Sequence, residues 1–172
     1  MPKYYTRACN FYFGQTSREK VKEEDQYVKA NEESLKSGTT VDQCFDFMKQ
    51  VSERFSFKVL MMGYYNTAFR MGEELFVRRI KEAGGSGYIL PDLPVEESSN
   101  LQAVSEQEGI EPIILMTPTS SDKRLAKLGK ASRGMVYAVA RKGVTGSKTD
   151  MSDDVIHLVK RCRQHTTVPI GV

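Results

Sequence analysis

Four short stretches carry groups that could do chemistry, and each directly follows an apolar run. They are Gly63-Tyr64-Tyr65-Asn66, Pro91-Asp92-Leu93-Pro94, Thr117-Pro118-Thr119 and Arg141-Lys142-Gly143-Val144-Thr145-Gly146. The last can aim backbone N–H groups and the Thr145 hydroxyl at a phosphate, with Arg141, Lys142 and Lys148 adding positive charge nearby. The same two glycines serve equally well in a backbone that merely turns at positive φ. Asp92, between prolines, reads either as an acid–base or anchoring group or as a carboxylate satisfying helix-start N–H groups beside Pro94. Tyr64 and Tyr65 either line a pocket for an aromatic ligand or pack over its mouth. Tyr137, on the run leading into the glycine loop, either fills a core or reaches a ligand with its hydroxyl. His157 and His165 lie on or just after one helix, away from these stretches, and read as surface or boundary residues. Neither Cys44 nor Cys162 has a histidine at one of these positions, so no nucleophilic pair is visible. The run Glu23-Glu24-Asp25 reads as a solvated face.

The elements that must hold these loops alternate in kind. Lys58–Met62, Gly87–Leu90, Pro112–Met116, Gly134–Val139 and Val168–Val172 are apolar almost throughout, as strands of a parallel sheet covered on both faces must be. Between them lie helical patterns. One opens at Glu73-Glu74, turns Leu75, Phe76, Ile80 and Ala83 to a common face and ends at Gly84-Gly85. The next is expected to start at Pro94, with Glu96 and Glu97 in its first turn, and to close at Gly109. Ser121-Asp122 cap a third, with Leu125 and Leu128 on its apolar face. Ser152-Asp153-Asp154 cap a fourth, carrying Val155, Ile156, Leu158 and Val159. Two further helices, Gln26 to Lys36 and Val41 to Arg54, the latter capped by Thr39 or Thr40, precede the first strand. Strand starts recur about every 22 to 34 residues, which is a run of βα units with right-handed crossovers. The architecture expected is a (β/α)8 barrel or a doubly wound sheet. Only five strands are visible, against the roughly 250 residues of a full barrel.

The chain has 172 residues, 25 Lys+Arg against 22 Asp+Glu, 40% hydrophobic and 27% charged residues. That is enough to bury a core and far from a disordered composition. A net charge of +3 with interspersed signs does not indicate nucleic acid. No apolar run approaches the roughly 18 residues of a membrane span, and the N-terminus has no continuous apolar signal region. Three scattered cysteines without a CxxC argue against a disulfide framework or a zinc site, so the reading is a cytoplasmic chain. Residues 1–25 form an atypical aromatic-then-polar segment; 26–172 form the βα domain.

Taken together, Leu60-Met-Met-Gly-Tyr-Tyr-Asn66, Leu90-Pro-Asp-Leu-Pro-Val-Glu-Glu-Ser98, Thr117-Pro-Thr-Ser-Ser-Asp122 and Gly143-Val-Thr-Gly146, in this order and spacing, resemble the tryptophan synthase α chain family. Lys29-Ala-Asn-Glu-Glu-Ser34 and Gly38-Thr-Thr40 fit it too, so the resemblance runs over about residues 26 to 172. It implies a (β/α)8 barrel lyase that cleaves indole-3-glycerol phosphate by a retro-aldol step into indole and glyceraldehyde 3-phosphate. It also implies a β-chain partner that receives the indole and carries pyridoxal phosphate, with no cofactor or metal on this chain. By the same resemblance Gly143, Thr145 and Gly146 belong to the loop that binds the substrate phosphate, and Tyr137 lines the substrate pocket. Met62, Ile89, Pro91 and Leu115 fall on the indole side. Asn66, Asp92 and Pro94 fall on loops facing the β chain.

The family's reaction also requires a glutamate at the end of its second strand and an aspartate in a Ser-Asp-Pro-x-x-Asp-Gly-Pro type segment, since the cleavage needs two positioned proton-transfer groups. The family-like sequence begins just after that segment. Glu23-Glu24-Asp25 stands at the corresponding place without its glycines and prolines, and the sequence stops at the seventh strand. No catalytic residue is therefore assigned. The expectation is an incomplete parallel array of about five strands, a truncated or frame-shifted reading with two open edges that self-associates or is unstable alone. Three functions stand side by side: the α-chain lyase, a non-catalytic remnant that binds phosphate or a partner chain, and an unrelated α/β sheet holding another phosphorylated ligand.

Overall fold

The computed structural model describes residues 38–139 and 153–172. The first 25 residues, the helix expected over 26–36, the Gly143–Gly146 loop and the Ser152 cap lie outside them. The described elements run α1 (Val41–Arg54), β1 (Leu60–Met62), α2 (Tyr65–Met71), α3 (Glu73–Glu82), β2 (Gly87–Ile89), α4 (Ser99–Glu108), β3 (Glu111–Pro112), β4 (Ile114–Met116), α5 (Asp122–Ala131), β5 (Val136–Ala138), α6 (Asp153–Arg163) and β6 (Ile170–Gly171).

All the pairings are parallel, and the order follows the chain: β1–β2–β3 form one ladder and β4–β5–β6 another. The two ladders meet in one stretch of chain. Pro112 has no N–H to give, and the Ile113 N–H donates to the Tyr88 carbonyl at 2.9 Å; from Ile114 onward the strand pairs with β5 instead. The single strand expected over 112–116 is thus two short strands that change partner at Ile113. A doubly wound sheet would reverse its strand order. No reversal occurs among the described residues, so successive right-handed crossovers lay the helices on one side, as in a barrel wall.

Each strand therefore has a helix face and an inner face, and its residues alternate between them. Met61 and Tyr88 join Phe45 and Met48 of α1, Phe76, Val77 and Ile80 of α3 and Leu101 of α4 in one core. Met116, Val136 and Ala138 pack with Leu125 and Leu128 of α5 and Leu158 and Cys162 of α6 in a second. The alternate residues Met62, Ile89 and Ile113 form a third cluster, flanked by Leu60, Leu115, Met135 and Tyr137. In the first core the Tyr88 hydroxyl lies 3.0 Å from Ser105 Oγ, which itself donates to the Leu101 carbonyl, so a buried polar pair is satisfied within α4. Burial pushes the Tyr88 phenol up to about 12.

Local side-chain caps open two of the helices. The Thr40 Oγ1 accepts from the Gln43 N–H while the Gln43 side chain accepts from the Thr40 N–H, a reciprocal capping box. Ser121 Oγ accepts from the Arg124 N–H at the start of α5. Three expectations differ. The helix expected from Pro94 begins at Ser99, because Pro94 to Ser98 turn on themselves through Glu97 N–H to Pro94 O and Ser98 Oγ to Val95 O; Glu96 and Glu97 are outside its first turn. The short helix α2 was not expected. Leu75 and Ile156, expected on apolar faces, are exposed; Val77 takes the buried place in α3, and Val155, Leu158 and Cys162 make the stripe of α6.

Gly129 sits where α5 crosses the chain leaving α6, and a Cβ there would run into the His165 backbone carbonyl. Gly129→Ala is expected to lower stability by about 1–3 kcal/mol in urea unfolding, the usual cost of overpacking, whereas a change below about 0.5 kcal/mol would show that the contact yields freely.

Candidate substrate site

The register sets the inner face. Met62 and Ile89 are Cα partners across β1 and β2, Leu115 and Tyr137 across β4 and β5, and all four share one apolar cluster. Three of the four residues expected on the indole side, together with Tyr137, thus meet in one cluster, each pair set by its own ladder. Burial raises the Tyr137 phenol above its ordinary value, so near neutral pH it stands in this apolar face as a protonated hydroxyl. Ile113, Leu60 and Met135 belong to the same face and were not expected there. The signal was the period-two spacing Leu60/Met62, Ile113/Leu115 and Met135/Tyr137. Pro91 does not join them: it is exposed on the turn after β2. Gly143, Thr145 and Gly146 lie outside the described residues.

The loops at the C-terminal strand ends are tied to one another. Asp92, after β2, accepts the Tyr65 N–H at 2.9 and 3.1 Å with its two carboxylate oxygens. Its carboxylate does serve a helix start, but that of α2 across the rim and not one beside Pro94. This supplies the side-chain cap missing at Tyr64; Asn66, expected on a loop, lies in the first turn of α2, while Asp92 and Pro94 lie on the connection after β2, all three exposed. Tyr65 packs against the first core and donates its hydroxyl to Glu73 Oε1 at 2.9 Å, while Asn100 donates to the other Glu73 oxygen; Tyr64 is half exposed. Glu96 reaches forward to α5, accepting from Arg124 and pairing with Lys127 at 2.8 Å. His157 is exposed and His165 half-buried, both on or after α6. The described residues hold no cluster of His, Cys, Asp or Glu placed for a metal, and none of their helices is long and apolar enough to cross a membrane.

Chemically, this half of a barrel offers an apolar wall, one phenol hydroxyl and a rim where Asp92 is bound to main chain and Glu73 and Glu96 to side chains. A singly wound parallel βα wall with an apolar lumen and its polar groups at the C-terminal strand ends is the arrangement of barrel enzymes. A family model described as tryptophan synthase alpha chain matches residues 26–172. The chain belongs to the tryptophan synthase alpha chain family. It is 41% identical over 145 residues to the tryptophan synthase alpha chain of Desulfotalea psychrophila, covering 84% of this chain and 57% of that one. It is 40% identical over 144 residues to that of Methanopyrus kandleri, covering 84% and 52%. Among solved structures, tryptophan synthase from Mycobacterium tuberculosis superposes with a TM-score of 0.76 at 34% identity, over 85% of this chain and 55% of that one. The tryptophan synthase α2β2 complex of Pyrococcus furiosus does so with 0.73 at 27% identity, over 83% and 58%. The chain thus spans little more than half the length of these relatives.

Lys127 and Arg124 hold the Glu96 carboxyl down to about 2, from an ordinary 4.5. A depressed carboxylate contributes stability above its unfolded value and loses it as pH falls through the folded value. Thermal stability is therefore expected to fall as pH drops from about 4.5 to 2, less steeply in Glu96→Gln than in the parent. Equal slopes would mean that Glu96 is as free in the folded chain as in the unfolded one.

Proposed function

We propose that this chain takes part in the retro-aldol cleavage of indole-3-glycerol phosphate to indole and glyceraldehyde 3-phosphate, the step of tryptophan biosynthesis carried by its family. The observation that carries the reading is the convergence of Met62, Ile89, Leu115 and Tyr137 on one inner face by strand register. An indole ring is held mainly by apolar burial and ring packing, and this face supplies both. In this reading the phosphate meets the backbone N–H groups of Gly143 to Gly146 and the Thr145 hydroxyl, and Tyr137 borders the ring. Asn66, Asp92 and Pro94 face a β chain, which carries the pyridoxal phosphate. The solved tryptophan synthase α2β2 complex of Pyrococcus furiosus supports that partnership.

A second reading is a family member that binds phosphate or a partner chain without cleaving substrate: Glu23-Glu24-Asp25 stands without the glycines and prolines of the family's carboxylate segment. In the lyase reading, proton transfer falls to carboxylates outside the described residues. Purified protein is expected to release indole from indole-3-glycerol phosphate above the uncatalysed rate, and faster with an added β chain. Folded protein yielding no indole in either condition would leave only the second reading. Loss of indole on replacing Glu23, Glu24 and Asp25 together would assign proton transfer to that run. Size-exclusion chromatography of the same sample tests the proposed self-association through sheet edges.

Tyr137→Phe is expected to weaken substrate binding by roughly two- to tenfold, the loss of about 0.5–1.5 kcal/mol for one hydrogen bond, with the melting temperature little changed. Unchanged affinity would place the Tyr137 hydroxyl away from the ligand.

A further inference from the structure

Arg161, near the end of α6, places its guanidinium under the turn that follows β4. Nε and Nη2 donate to Asp122 Oδ1 at 3.1 and 2.8 Å, Nη2 to the Ser120 carbonyl at 2.6 Å and Nη1 to the Pro118 carbonyl at 3.2 Å. Its side chain is 22% exposed, against 70% for Asp122. The acceptors are thus two backbone carbonyls of one turn and the first residue of the following helix, spread over three atoms of a planar fork. A surface ion pair would need only the carboxylate. A fork that gives two of its four hydrogen bonds to main-chain oxygens of one turn fixes backbone shape as well as pairing charge.

The turn so held is short and polar. The Ser120 N–H donates to the Thr117 carbonyl at 3.1 Å, and Thr117 Oγ1 lies 3.0 Å from both Thr119 Oγ1 and Ser120 Oγ. Leu115, on the inner face, stands two residues before it, so the turn sits at the C-terminal end of the strand wall, where barrel enzymes meet their substrates. Resting on the site reading above, we propose that Arg161 is a positioning residue for the substrate site: by holding the Pro118 and Ser120 carbonyls it sets the shape of the Thr117–Ser121 turn at the mouth of the inner face. It touches no substrate; it acts through the turn.

Two variants of the full chain test this, Arg161→Lys and Arg161→Ala, each first shown by circular dichroism to be folded. Lysine keeps the charge and can still pair with Asp122 but cannot span the two carbonyls. Hydrogen exchange is read at the Ser120, Arg124 and Leu125 amides of the turn and helix start, with the amides of Leu158 and Cys162 as reference. Charge-assisted hydrogen bonds are worth about 1.5–3 kcal/mol, so exchange at the turn is expected to rise about tenfold or more in both variants while the reference holds. Parent-like exchange in Arg161→Lys would reduce Arg161 to a surface charge and overturn the proposal. Equilibrium binding of indole-3-glycerol phosphate is measured alongside. Severalfold weaker binding by Arg161→Lys supports the positioning role, and equal binding overturns it. Parent protein that does not bind this substrate overturns the site reading itself and with it the role of Arg161 there, an outcome distinct from a parent that binds and a variant that binds equally.

Discussion

Every described strand is parallel to its neighbours and covered on its helix side, so each residue along it has to serve one of two faces. That constraint organises the rest. Met61, Val136, Met116 and Ala138 go to the helices, and the residues between them have nowhere to go but inward. Because β1–β2–β3 and β4–β5–β6 each pair in chain order, the inward residues of paired strands stand side by side, and an apolar wall forms without any residue being selected singly. A register slip of one residue would send Met62 and Tyr137 into the helix layer and Met61 and Val136 into the lumen.

At the rim the governing interactions are of another kind. Asp92 ties the loop after β2 back to α2, Glu96 ties the same loop forward to α5, and Arg161 ties the turn after β4 to α6. Exposed ion pairs by themselves contribute little, with a median near 0–1 kcal/mol. What gives these their effect is that Asp92 and Arg161 bind main-chain groups, an orphan helix N–H in one case and turn carbonyls in the other. Loops are thereby shaped by side chains from neighbouring βα units. A division of labour results: the strands hold an apolar ligand surface, and the connections between units hold the mouth around it.

The βα repeat, the helix caps at Thr40 and Ser121 and the family itself were legible in the sequence. Each rests on patterns a few residues long: apolar runs bounded by turns, a hydroxyl before a helix, linked loop motifs. The family resemblance, not periodicity, placed Met62, Ile89, Leu115 and Tyr137 among candidate pocket residues. Period-two spacing adds Leu60, Ile113 and Met135 once Met62, Leu115 and Tyr137 are set inward, but in a continuously apolar strand hydrophobicity does not reveal which alternate set that is. Only pairing decides that. Nor did composition indicate that the stretch from Pro94 to Ser98 turns before helix α4 begins, or that Leu75 is exposed, because both depend on what packs alongside. Asp92 shows the same limit most clearly. Its neighbours in the chain pointed to the helix beside Pro94, and tertiary structure gave it the N–H of Tyr65, 27 residues away. The sequence by itself determined which elements form and to which family they belong, because those follow from short-range propensity and motif spacing. Which side chains meet at the inner face and which carboxylate or guanidinium shapes which loop was decided by tertiary structure, because those contacts join residues brought together only when parallel strands align.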